Sequence, residues 1–460
     1  MDITRLILPD LEEALAESPE SVREAIAELH AADVAELLTK LSNEQQARLL
    51  PLLPEEHVGE VVDYLGPGHR APVFALLPAE LQVRIASHMS ADDRADMFAN
   101  LDSEVRDAVL ARLPTDEARD VRTLMSYPPA TAGSLMTTDV VVIAADLTVG
   151  EVLERIRILA QEAESVTYAY LSDRASGKLV GVLSLRELVL NRAERKASEV
   201  MNAEVVTVPA LSDQEEVAKL IAKYDFTAVP VVDEQGRLLG IITVDDLVDV
   251  VVQEGTEDIH KLGGLETLNA PYLDVGLFQM LRKRGGWLAV LFLGQMLTAT
   301  AMGHYSEEIG KAVILALFVP LIISSGGNSG SQATTLVIRA MALGEVKLGD
   351  WIRVVRREAV AGLALGVFLG LIGLLRIAVW HFGFGAYDEH WLLLGVTVGL
   401  SVAGVVLWGT LAGSMLPFLM RRVGFDPASA SAPFVATLVD VVGVLIYFQV
   451  ASVVLSGSLL

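Results

Sequence analysis

The sequence predicts a multi-domain chain: an all-α solenoid N-terminal domain, an α/β tandem pair, a linking helix and an all-α five-span transmembrane domain. Three observations predict it. An apolar residue recurs every twelve positions through the first 130 residues. Two segments between 133 and 253 repeat one another. From Gly286 onward the chain is mostly apolar runs long enough to cross a hydrocarbon layer of about 30 Å.

The solenoid comes first. Leu29, Leu41, Leu53, Leu65, Leu77, Met89, Leu101 and Leu113 mark the repeat, and His30, Ser42, Pro54, Gly66, Pro78, Ser90, Asp102 and Pro114 follow them. Most of these followers are residues that cap or start helices. Helices this short cannot stand alone; in series they bury one another's apolar stripes. Residues 1–130 are therefore assigned to this domain. Its acids, such as Glu60, Asp63, Asp92, Asp93 and Asp96, ordinarily form solvated faces. The opening residues, Met1 to Glu17, lack the basic-then-apolar order of a secretory signal.

The tandem pair divides into 133–197 and 198–253. Leu135-Met136-Thr137 matches Val200-Met201-Asn202, and each precedes a Val-rich strand, Val140–Ile143 or Val205–Val208. Leu179-Val180-Gly181-Val182-Leu183 matches Leu238-Leu239-Gly240-Ile241-Ile242, each leading into a helix. With Val229-Pro230-Val231-Val232-Asp233, these segments resemble a pair of CBS (cystathionine β-synthase) domains. Such pairs are regulatory modules that often bind adenosine nucleotides. By that resemblance Tyr168, Arg186 and Phe226 are candidate nucleotide contacts, and ATP is a possible ligand.

Charge divides the chain. Residues 1–262 carry 23 Lys and Arg against 48 Asp and Glu, whereas 263–460 carry 12 against 11, so the net −24 belongs to the first half. That half repels nucleic acid and attracts cations. Glu215, Asp225, Asp245, Asp246, Asp249, Glu254, Glu257 and Asp258 crowd one stretch and repel unless a cation lies among them. Oxygen ligands suit Mg²⁺ or Ca²⁺, and with no Cys there is no thiolate site. No nucleophile–base pair or phosphate loop stands out, which argues against an enzyme.

Residues 254–285 form the linking region: a charged helix Gln253–Leu262 stopping at Gly263-Gly264, then an amphipathic Tyr272–Leu281 after Pro271. Residues 286–460 hold spans at Gly286–Met302, Ala312–Leu343, Ala359–Trp380, Leu392–Met420 and Pro433–Val454. With the N-terminus in the cytosol and the C-terminus outside, nine Lys and Arg flank the inner ends and only Lys311 the outer loops. This describes a multi-pass protein of the cell (inner) membrane, in contact with lipid. In the second span Pro320, Gly326, Gly327 and Gly330 are expected to break the helix and free carbonyls. In the fifth, Asp440 lies roughly 10 Å along from Pro433. A carboxylate at that depth costs at least a few kcal/mol and marks an ion path. One per chain cannot surround a cation, and a two-fold dimer supplies a second. Gly362, Gly366 and Gly370 permit close helix packing.

Gly326-Gly327-Asn328-Ser329-Gly330, Ser414-Met415-Leu416-Pro417-Phe418, Pro433-Phe434-Val435-Ala436-Thr437-Leu438 with Asp440, and Thr256-Glu257-Asp258-Ile259-His260-Lys261-Leu262 together resemble the MgtE-type magnesium channels over essentially the whole chain. The resemblance implies a homodimer, passive Mg²⁺ entry, and closure by cytosolic Mg²⁺ acting through the linking, or plug, helix. It implies pore contacts at Asp440, Asn328 and the Ala436 carbonyl, and sensor ligands at Glu60, Asp92, Glu215, Asp225, Asp246, Asp249, Glu254, Glu257 and Asp258. Ser331, Val439 and Val442 are less polar than that pattern. The alternatives are a broader divalent transporter (Co²⁺, Mn²⁺, Zn²⁺) and a nucleotide-sensing membrane receptor.

Overall fold

The computed structural model describes residues 29–456 together with Val22, Arg23 and Ile26, apart from 160–162, 164, 269–271, 273–274 and 388. The opening segment and Pro271 lie outside the described residues. The chain divides into two compact units, residues 1–253 and 254–460.

In the first unit the twelve-residue register is kept without slippage. Helices start at every twelfth residue: α1 (Ala31–Lys40), α2 (Asn43–Leu49), α3 (Glu55–Asp63), α4 (Pro67–Ala75), α5 (Ala79–His88), α6 (Ala91–Ala99), α7 (Ser103–Leu110) and α8 (Thr115–Leu124). Each begins one residue after its capping position. Ser42 closes a capping box with Gln45, and prolines stand at three other caps. Helices two apart in sequence pack on each other, α1 on α3 and α4 on α6, so short amphipathic pieces share one core. Every repeat apolar residue from Leu41 to Leu113 is buried in it.

The tandem pair follows: α9 (Ala132–Leu135), β1 (Val142–Ala144), α10 (Val149–Leu159), β2 (Tyr168–Ser172), β3 (Leu179–Ser184), α11 (Leu185–Leu190), α12 (Ala197–Val200), β4 (Val208–Pro209), α13 (Gln214–Tyr224), β5 (Ala228–Val232) and β6 (Leu238–Thr243). Each copy has three strands, the first pair parallel and the second antiparallel. The copies exchange pairing. Thr137, ahead of the first copy, bridges to Ile241 of the second, and Asn202, ahead of the second, bridges to Val182 of the first. This exchange explains why the opening strands start two or three residues later than expected. It also explains the repeated glycine: a Cβ on Gly181 would collide with Met201, and one on Gly240 with the Thr137 carbonyl.

The charged linking helix is not a separate piece. α14 runs unbroken from Val244 to Leu262, because only Gly255 interrupts a helix-forming run and one glycine is tolerated. It stops at Gly264, whose φ is +70°.

Among the described residues the second unit contains five helices long and apolar enough to cross a membrane: α15 (Leu277–His304), α17 (Val319–Ala342), α18 (Trp351–Phe384), α19 (Trp391–Val423) and α20 (Ala432–Val454), with a short α16 (Ser306–Lys311) after the first. The expected amphipathic helix ending at Leu281 is instead the first turns of α15, since Arg282-Lys283-Arg284 are good helix formers and do not end it.

The expected break in the second span is overturned. α17 is continuous across Gly326, Gly327 and Gly330. Pro320 sits in its first turn, where no intrahelical N–H is needed. The glycines serve close approach instead: a Cβ on Gly409 would run into the Gly326 carbonyl, and one on Gly413 into that of Gly330. In lipid, small residues are what let backbones meet. Gly366 and Gly370 pack likewise against Ala403 and Gly399 of α19, as expected.

Candidate ion site and acidic regulatory residues

α17 and α20 line a cavity of about 480 Å³. Its polar wall is Ser324, Asn328 and Ser331, spaced four and three apart on one face of α17, with Ala436 and Asp440 from α20. The three expected pore contacts, Asp440, Asn328 and Ala436, therefore meet in one place. Six waters occupy about 180 Å³ at liquid density, so a hydrated divalent ion fits. Ser331 Oγ donates to the Ala432 carbonyl at 3.4 Å, holding the two helices in register.

Asp440 is half-buried, and among the described residues no Arg, Lys or His nitrogen lies within ion-pair distance of it. Arg376 is engaged elsewhere, donating to the Tyr387 hydroxyl at 3.0 Å with its guanidinium 4.8 Å from the Trp380 ring centre. An unpaired carboxylate in a membrane span is the arrangement that a passing cation stabilises. Val439, less polar than the family pattern, faces away from the cavity. It is fully buried and touches the space a Gly326 side chain would need. Ser324 at the cavity wall was not singled out from sequence, although its four-residue spacing from Asn328 was there to be read.

The acidic candidates are placed less compactly. Glu60 lies on α3 with His57 Nδ1 3.6 Å away. Asp92 is in the first turn of α6. Glu215 begins α13 and pairs with Lys219 at 2.8 Å, while Asp225 ends that helix at φ +53°. Ten residues of helix separate those two by about 15 Å, so they cannot share one ion. Asp246, Asp249, Glu254, Glu257 and Asp258 follow one another along α14. Among the described residues no three Asp, Glu or His side chains converge in a geometry that could hold a metal. The crowding in sequence is thus distributed in space within one chain.

The close carboxylates are ones the sequence left as solvated. Arg70 pairs with Asp93 and donates to the Asp63 carbonyl at 2.7 Å. Withdrawal from water, then Asp93, pushes Asp63 up to about 6, although Arg70 opposes. Burial likewise lifts Asp246 to about 6, with Asp245 and Asp93 adding to it and the Thr243 hydroxyl, 2.5 Å away, opposing. Both folded-state values lie above the ordinary 3.8. Their stabilising contribution is therefore complete below about pH 4 and is lost as pH rises through about 6. Thermal unfolding of the first unit without divalent ions should occur at a higher temperature near pH 5 than near pH 7.5. Asp63→Asn with Asp246→Asn should flatten that dependence; an unchanged pH profile in the double variant would refute it.

Of the nucleotide candidates, Tyr168 lies where the two CBS copies pack together. Tyr168 opens β2 opposite Ser184 and packs with Tyr170, Ala228 and Ile241. Phe226 is two residues before Ala228 and stacks on Tyr224, ring centres 5.3 Å apart. Arg186 is exposed in the first turn of α11. Aromatic faces and a free guanidinium are donors suited to a purine and a phosphate chain.

Comparison with known proteins agrees with this architecture. Residues 319–450 match the MgtE divalent cation transporter domain, 29–130 the MgtE intracellular N domain, and 132–194 and 197–253 the CBS domain. The magnesium transporter MgtE of Thermus thermophilus is 41% identical over 451 residues, covering 97% of this chain and 98% of the relative. The chain belongs to the MgtE family. The Enterococcus faecalis MgtE is 38% identical over 336 residues, 73% of this chain and 71% of that one. A crystal structure of the cytosolic domain of the Mg²⁺ channel MgtE in complex with ATP superposes with a TM-score of 0.50 at 39% identity, covering 52% of this chain and 98% of that one. MgtE membership makes this chain a multi-pass membrane protein of a transporter family, with five apolar helices to span the bilayer.

Proposed function

We propose that this MgtE chain conducts Mg²⁺ passively as a homodimer, and that its acidic soluble unit closes the pore when cytosolic Mg²⁺ is high. The observation that carries the proposal is the single cavity in which Asp440, Asn328 and Ala436 meet. One carboxylate half-neutralises a divalent ion, and a second copy about a two-fold axis supplies the other. Mg²⁺ dehydrates reluctantly, so the hydroxyl and amide wall contacts the water shell. No bond is made or broken. An inside-negative potential of about 100 mV favours entry by about 4.6 kcal/mol.

The soluble unit faces the cytosol in this reading, supported by nine basic residues at the inner flanks against Lys311 outside. Five spans then put the end of α20 on the outer side. For sensing, Mg²⁺ bridges Glu60, Asp92, Glu215, Asp225, Asp246, Asp249, Glu254, Glu257 and Asp258 across domains and between subunits, which accounts for their dispersion within one chain. Its absence leaves like charges to repel, and the closed form is favoured only by its tighter ion binding. ATP would be held at the CBS seam by Tyr168, Arg186 and Phe226.

Uptake into proteoliposomes at clamped internal Mg²⁺ tests this. The native chain should fall silent as internal Mg²⁺ rises through the millimolar range, and a chain reduced to residues 254–460 should stay open. Competition by Co²⁺, Mn²⁺ and Zn²⁺ in the same assay separates a Mg²⁺ channel from a broader divalent transporter. Nucleotide binding without any ion flux would overturn the proposal in favour of a receptor.

A further inference from the structure

Six residues of α17 carry a side-chain hydroxyl, and five of them use it inside the protein. Ser325 donates to the Leu321 carbonyl at 2.7 Å, and Thr335 to that of Ser331 at 2.9 Å. Ser329 meets the Thr410 hydroxyl at 2.7 Å, and Ser331 donates to the Ala432 carbonyl. Thr334 lies between the carbonyls of Gly330 and Gly413. Bonding to the carbonyl four residues earlier, or to a neighbouring helix, is how a hydroxyl is accommodated in apolar surroundings. Ser324 does neither. Its hydroxyl has no partner among the described residues, and the residue stands on the wall of the cavity.

Three contacts fix what lies across from it. Ser331 reaches Ala432; a Cβ on Gly327 would lie 3.7 Å from the Ala436 Cα; one on Gly443 would lie 3.9 Å from the Ile323 side chain. Residue numbers rise along one helix as they fall along the other, so α17 and α20 run antiparallel. From the Ser331–Ala432 contact, Ser324 is about 10.5 Å along α17 and Asp440 about 12 Å along α20. The two side chains therefore stand on one tier of the cavity, contributed by opposite walls. Asn328 and Ala436 form the next tier inward, and Ser331 closes the last.

We infer that the Ser324 hydroxyl is the contact that holds the hydrated ion against Asp440. The inference rests on the ion-site reading above and narrows it to one tier and one hydroxyl. An ionised carboxylate only accepts hydrogen bonds, so Asp440 takes them from the waters on its side of the shell. Waters bound to a divalent cation are polarised and are strong donors. On the other side Ser324 Oγ accepts from one of them and still has a proton to give to a further water. A second copy about a two-fold axis repeats both contacts. The ion keeps its water throughout, as the reluctance of Mg²⁺ to dehydrate requires. Asp440 supplies the charge and Ser324 the grip, so loss of the hydroxyl weakens occupancy and leaves the path open.

The test is Mg²⁺ flux through the reconstituted full chain as external Mg²⁺ is varied, with internal Mg²⁺ kept low. Native, Ser324→Ala, Ser324→Thr and Ser325→Ala chains are compared. Ser324→Ala should need about tenfold more external Mg²⁺ for half-maximal flux, the equivalent of ~1.4 kcal/mol. Its maximal flux should remain native. Ser324→Thr keeps a hydroxyl, in a cavity of about 480 Å³ with room for the added methyl, and should behave as the native chain. Ser325→Ala removes a hydroxyl already bonded to Leu321 and should change nothing. Native half-saturation in Ser324→Ala, beside an Asp440→Asn chain that has lost its flux, would overturn this inference and leave the ion site standing. A threonine variant as weak as the alanine one would overturn it too. Asp440→Asn chains with native flux would sink both readings. A lowered melting temperature of Ser324→Ala in detergent would mean lost packing instead of a lost ion contact, and counts against the inference.

Discussion

Replacing Asp440 by Asn is expected to abolish Mg²⁺ uptake while leaving the helices in place. The amide has the shape of the carboxylate and removes only its charge. Two unit charges about 4 Å apart interact by roughly 4 kcal/mol at an effective dielectric constant of 20, and a divalent ion doubles the attraction. Even a third of that, about 2.7 kcal/mol, is on the order of a hundredfold in occupancy. Flux should therefore fall by at least roughly a hundredfold in proteoliposomes. Asp440→Glu retains the charge and should keep measurable flux. Asp440→Asn channels that conduct as the native ones do would refute the ion site, since among the described residues no other carboxylate lines the cavity.

The second large effect belongs to Gly413. Its Cα faces the Gly330 carbonyl, and the Thr334 hydroxyl lies 2.9 Å from that carbonyl and 2.8 Å from the carbonyl of Gly413 itself. Gly413→Leu must push α17 and α19 apart at a point where the obstacles are the Gly330 backbone and a Thr334 hydroxyl held between two carbonyls. Overpacking an interior commonly costs about 1–3 kcal/mol when side chains can yield; here nothing yields easily. Purified yield and the detergent melting temperature should drop sharply. Gly303→Ala, at a site with open space, should change neither. A native melting temperature for Gly413→Leu would mean that the two helices do not meet there.

How much of this could be read beforehand depends on how local each cause is. The solenoid register was fully legible, because a cap residue and the apolar residue before it act within one helical turn. Asp440 was legible for a different reason: a membrane makes one carboxylate conspicuous. The course of α17 was misread, since glycines that would break a solvated helix are retained in lipid for contact between helices. That depends on Gly409 and Gly413, about eighty positions away. The linking helix was cut in the wrong place because a change in composition at Gln253 is not a change in backbone. The acidic stretch around Glu215 to Asp258 was visible as charge, but its geometry was not. A helix spreads neighbours along its length, and α13 holds Glu215 and Asp225 at opposite ends. The ion pair between Lys261 and Asp426 was out of reach, because 165 positions separate its two partners.

The crossed bridges Thr137–Ile241 and Asn202–Val182 have a mechanical consequence. Each lobe keeps a thread sewn into its twin, so neither is a free-standing folding module and the two melt and recover together. Cutting the chain between residues 197 and 198 and expressing the pieces apart should yield two insoluble fragments, not two small domains. For the living protein the same stitching means that a push on either lobe is delivered by both.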